Sequence, residues 1–99
     1  MPDKAAGETK TVNSIEIPKL YSVVLHYDDF TPMDFVVFIL MKIFNKNEAD
    51  AKKIMLQVHK QGSGVAGIYP LDIAATKKIH SEILAGDNGH PLKLSLEQE

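Results

Sequence analysis

The stretch "LYSVVLHYDDFTPMDFVVFIL", Leu20 to Leu40, decides the fold. Its first seven residues are rich in β-branched and aromatic side chains, which favour a pleated, half-buried surface, and they read as a strand. Thr31 then offers a helix cap. Pro32 suits a first helical turn because its missing N–H would be unpaired there anyway, and Asp34 completes a variant of the capping box. A helix is expected to follow at once, with a body, "FVVFILMKIF", that is apolar on nearly every side. That pattern predicts burial between the sheet and another layer. Between strand and helix lie two adjacent carboxylates, Asp28 and Asp29, with His26 and Tyr27 before them. Such a cluster serves as a plain polar turn, as a catalytic or metal-binding group, or as a hold for the positive end of a ligand. The residues alone leave these readings open.

Downstream, Asn47 and Asp50 open a second helix in which Ala51, Ile54, Met55 and Val58 share one face, and Gly62 closes it. "GVAGIY" reads as a short strand. Pro70 begins a third helix that runs to Gly86 and carries Ile73, Thr76, His80 and Ile83 on one stripe. "PLKLSLEQE" places Leu92, Leu94 and Leu96 on one face with the period of a half-exposed strand. The order is β-α-α-β-α-β. Three strands and three helices without a long repeat make a small α+β sandwich, an antiparallel sheet covered by helices on one side.

Upstream, residues 1–17 mix small and charged residues with a few large apolar ones that follow no period. Such a segment cannot offset its ordering entropy and reads as a flexible extension, with the domain spanning 18–99.

The chain has 99 residues, enough for one domain with one modest core. It has no cysteine, which excludes a disulfide scaffold, a thiol nucleophile and a cysteine-ligated zinc, and which suits a reducing cytoplasm. Eleven basic and thirteen acidic residues give a net charge of −2 with neither sign in a long run, so nothing asks for nucleic acid or an anionic membrane. The longest apolar run is too short to span a bilayer, and no signal-peptide pattern opens the chain. His26, His59, His80 and His90 show no metal-ligand spacing, and no nucleophile elbow or Gly-rich loop is present. Neither a metal, a cofactor nor an enzyme activity is expected.

Three segments carry a resemblance to a known family. "YSVVLHYDDFTPMDFVVFIL", "MLQVHKQGSGVAGIY" and "HPLKLSLE" resemble the ClpS family across Pro18 to Glu97. ClpS proteins are adaptors that bring N-end-rule substrates to a Clp-type AAA+ unfoldase and its peptidase. The resemblance implies that Asp28 and His59 hold the α-ammonium of a substrate's first residue, chemistry that suits a carboxylate and a neutral imidazole. It implies a side-chain pocket lined by Thr31, Met33, Val36, Met55, Val58 and Leu92, with Asp29 near its mouth and Met33 guarding against β-branched residues. It places the contact with the N-terminal domain of a ClpA-type or ClpC-type unfoldase at Asp72 and Lys77, and it implies a monomer. Two departures stand out: Ala75 replaces an acidic position of the docking face, and Tyr27 replaces the family's usual Asn. Tyr27 separates an adaptor for N-degrons from an alternative, a regulator that docks on the unfoldase with altered or lost N-degron recognition. A ribosome-associated domain of the L7/L12 type is a remoter alternative from another class.

Overall fold

The computed structural model describes residues 17–99. The expected extension, residues 1–17, lies outside the described residues apart from Ile17. The elements are β1 (Leu20–His26), α1 (Met33–Lys42), α2 (Glu48–Gln61), β2 (Ser63–Pro70), α3 (Leu71–Asp87) and β3 (Lys93–Gln98), the order expected.

The sheet runs β2-β1-β3, with both pairings antiparallel. β1 takes the central place, where both of its edges are paired. Val23 and Leu25 point from it into the core and are fully buried. Leu94 and the half-buried Leu96 lie beside them on β3, so the leucine alternation does set the face of that strand. The β1–β2 register shifts between Val23 and Val24, where Ala66 is the extra residue on β2 and fills the core. Helix α3 lies across all three strands, and α2 packs on α1 and β2.

Helix α2 follows its sequence signals. The Asn47 side chain accepts from the Asp50 N–H at 2.8 Å, and Gly62 ends the helix with φ 91°, where its N–H donates to Val58 O. Glycine takes this left-handed position without the Cβ clash that any other residue would meet. Ala51 and Val58 are buried, and Ile54 and Met55 pack half-buried beside them.

Four local expectations are corrected. Thr31 does not cap α1: Pro32 occupies the cap position without a side-chain bond, and the Thr31 hydroxyl turns back to Asp28 instead. Helix α1 is not buried all round. Val36, Ile39, Leu40 and Ile43, at i, i+3, i+4 and i+7, face the core, while Phe38 and Met41 stand exposed. In α3 the stripe Ile73, Thr76, His80 and Ile83 faces outward, and the buried side is Ala74, Ser81 and Ala85. Small side chains let this helix sit close on the sheet, and the Ser81 hydroxyl satisfies itself by donating to Lys77 O at 2.8 Å. Pro70 ends β2 and caps α3 rather than beginning the helix body.

Candidate functional site

The turn between β1 and α1 is built around Asp28. Its Oδ1 accepts the N–H of Phe30 at 2.8 Å and of Thr31 at 2.6 Å, and its Oδ2 accepts the Thr31 hydroxyl at 2.7 Å. This is the local side-chain-to-backbone bonding that makes Asp a turn residue. Burial pushes the Asp28 pKa up, but the three hydrogen bonds and the nearby His90 charge outweigh it and hold the carboxyl below its ordinary value. Asp28 is therefore a fixed anion. Each carboxylate oxygen can accept two bonds, so Oδ2 keeps a lone-pair direction for a further donor.

Asp29 diverges from its neighbour. Its Oδ1 accepts the Tyr27 phenol at 2.9 Å, and that bond, with the Asp29 charge behind it, raises the Tyr27 pKa. The Tyr27 backbone N–H donates to Gly62 O at 2.9 Å, which ties the end of β1 to the end of α2. This tie brings His59, in the last turn of α2, against Tyr27: the rings meet edge-on with centroids 5.5 Å apart.

Beside this group lies a small pocket, partly open to solvent. Tyr27, Asp28, Thr31, Met33, Val36, Met55, Val58, His59 and Leu92 line it, so the structure brings together nine of the ten residues expected around a ligand. The tenth, Asp29, is not in the lining and reaches the site only through the Tyr27 phenol. His26 is an additional lining residue, and its Nε2 meets Ser95 Oγ at 2.7 Å. The alternation of β1 gave no sign of it, because the position after Leu25 belongs to the opposite sheet face.

Val36, Val58 and Leu92 are buried walls, and Met33 and Met55 supply deformable thioethers between them and the mouth. Asp28, Thr31 and His59 are the polar groups of the lining beside Tyr27 and His26. The lining is an apolar cleft with a few polar groups, the composition of a small ligand site. No three His, Asp or Glu side chains converge as a metal site among the described residues.

Asp72 and Lys77 are not brought together. Asp72 stands exposed in the first turn of α3, where its Oδ1 accepts the Ile73 N–H at 2.9 Å. Lys77 lies five residues on, roughly 140° around the helix. Its Nζ donates to Ile43 O at 2.7 Å and sits 5.3 Å from the Tyr69 ring centroid and 5.9 Å from that of Phe44. An internal role for Lys77 was not foreseen.

The family model described as "ATP-dependent Clp protease adaptor protein ClpS" matches residues 16–95. The ATP-dependent Clp protease adapter protein ClpS of Clostridium acetobutylicum is 54% identical over 87 residues, 88% of this chain and 86% of that protein. The protein of the same description from Desulfotalea psychrophila is 50% identical over 99 residues, 98% of this chain and 97% of its own length. Among solved structures, Agrobacterium tumefaciens ClpS2 bound to L-phenylalaninamide superposes with a TM-score of 0.81 at 37% identity, covering 84% of this chain and all of that one.

Proposed function

The chain belongs to the ClpS family of adaptors for the ATP-dependent Clp protease, and from that premise we propose how its pocket serves the adaptor's task. The protein binds the free N-terminal residue of N-degron substrates, a bulky Leu, Phe, Tyr or Trp, and delivers them to a Clp AAA+ unfoldase for degradation. Asp28 and His59 hold the α-ammonium, and the side chain enters between Val36, Val58, Leu92 and the two methionines. The observation that carries this reading is the spare acceptor direction of Asp28 Oδ2, an anion that lines a small pocket walled mainly by apolar side chains. The solved relative's ligand, a phenylalanine amide with a free amine, has the same two parts.

The adaptor works as a monomer in the cytoplasm, without catalysis of its own, and docks through Asp72, Lys77 and their surroundings on the N-terminal domain of a ClpA-type or ClpC-type unfoldase. Nucleic acid, membrane and cofactor have no part in it.

Fluorescence anisotropy with labelled peptides that differ only at residue one tests the pocket. Free Leu and Phe termini bind, and acetylation, which removes the charge and its donors, abolishes binding. Equal affinity for free and acetylated peptides would rule the reading out. One observation favours a second reading, a docking regulator with altered recognition: the Tyr27 ring stands against His59, one of the two groups assigned to the ammonium. A protein that binds no free terminus yet alters unfoldase substrate choice would establish it.

A further inference from the structure

Tyr27 is held at three points. Its backbone N–H is bonded to Gly62 O, its phenol to Asp29 Oδ1, and its ring rests against His59. Tyr27 is nonetheless 44% exposed. An aromatic surface has been positioned at the rim of the pocket and left open.

The ring's place is set by the groups around it. It adjoins Asp28 in sequence and touches His59 in space, so it flanks both residues assigned to the ammonium. Consecutive Cα atoms are about 3.8 Å apart. A peptide whose first residue is seated in the pocket therefore carries its second side chain into reach of this ring. Among the described residues the second Asp29 oxygen, Oδ2, carries no hydrogen bond, while Oδ1 takes the phenol proton. The phenol's bond to a carboxylate makes the π-face more electron-rich, and Asp28 adds a second negative charge nearby.

We propose that Tyr27, oriented by Asp29, is a specificity-determining residue that selects arginine as the second residue of the bound N-terminus. Arginine fits on three counts. Its guanidinium is planar and stacks on an aromatic face, it is more weakly hydrated than an ammonium, and its fork pairs with a carboxylate beside the ring. An aromatic second residue would cover the ring but leave the carboxylate unpaired. A glutamate would meet two fixed anions. The inference rests on the proposed function, since the second residue is placed only if the first is seated.

The test uses the full chain and four labelled peptides identical except for their first two residues, Leu-Arg, Leu-Ala, Leu-Phe and Leu-Glu, each also in acetylated form. In the wild type, Leu-Arg should bind about threefold to tenfold tighter than Leu-Ala, the size of an exposed cation–π contact with an added ion pair. In Tyr27→Asn the ratio should fall within about twofold, and in Asp29→Asn it should fall partway. An unchanged ratio in Tyr27→Asn, or tighter binding of Leu-Phe than Leu-Arg by the wild type, overturns the proposal while leaving N-terminal recognition standing. Equal binding of free and acetylated peptides overturns both.

Discussion

The hydroxyl of Thr31 donates to Asp28 Oδ2 at 2.7 Å, so the residue expected to cap a helix instead braces the carboxylate assigned to the ligand. Thr31→Val keeps the side chain's shape and removes that donor. The loss should cost about 0.5–1.5 kcal/mol of stability and weaken binding of free Leu peptides several-fold. It also has a pH signature. The folded pKa of Asp28 is depressed, so its contribution to stability is present above the unfolded value and is lost as pH falls through the folded one, a window lying below pH 3.8. In Thr31→Val the Asp28 midpoint should move up toward the ordinary value. A carboxyl-carbon NMR titration reads this directly, and an unshifted midpoint would show that the hydroxyl does nothing for the charge.

Gly64 lies against Val58. A Cβ placed there would lie 3.0 Å from Val58 Cγ2 and 3.5 Å from Ile54 Cγ2, and Val58 is a pocket wall. Gly64→Ala should push Val58 inward. Peptides beginning with Trp or Phe should lose affinity by more than those beginning with Leu, and a uniform change across first residues would count against this route.

Lys77 joins the end of α1 to α3 by donating to Ile43 O, one of the carbonyls that a helix end leaves without an intrahelical partner. Lys77→Met retains the apolar stem beside Phe44 and Tyr69 and deletes the charge. A destabilisation of about 1–3 kcal/mol in urea unfolding is expected from the lost charge-assisted bond and cation–π contacts. Unchanged stability together with lost unfoldase docking would assign Lys77 to the partner alone.

Removing residues 1–16 should separate grasping from delivery. Every residue lining the pocket lies between His26 and Leu92, so peptide affinity should be unchanged. Delivery of an N-degron reporter to the unfoldase should stop, as the resemblance to the family implies. Degradation at the full rate by the shortened protein would refute this.

What the sequence made legible was local. The Asn47 cap, the Gly62 stop and the leucine alternation of β3 are each decided by a few neighbouring residues, and each appears in the structure. What stayed hidden depends either on partners far along the chain or on a choice between local bonds that sequence patterns leave open. Helix α3 buries Ala74, Ser81 and Ala85 because it must approach the sheet closely, and a stripe of isoleucines is the louder but outward-facing signal. Thr31 had two uses open to it, and the Asp28 carboxylate three residues earlier decided between them. Similarly, nothing short of the tertiary fold shows that Asp29 reaches the site through Tyr27, or that Lys77 serves Ile43 across 34 residues.

The order of the sheet also bears on when this protein becomes competent. The central strand, β1, is made before the other two, and one of its flanks is filled by β3, which meets it across a separation such as that between Tyr21 and Gln98, 77 residues. During synthesis β1 must wait with that edge open until the segment from Leu92 onward has left the ribosome. Long-range pairing of this kind is slow, and an open apolar edge invites association with other chains. The same late segment supplies Leu92, a wall of the pocket. The proposed seat for a side chain is therefore completed only when the last strand is in place.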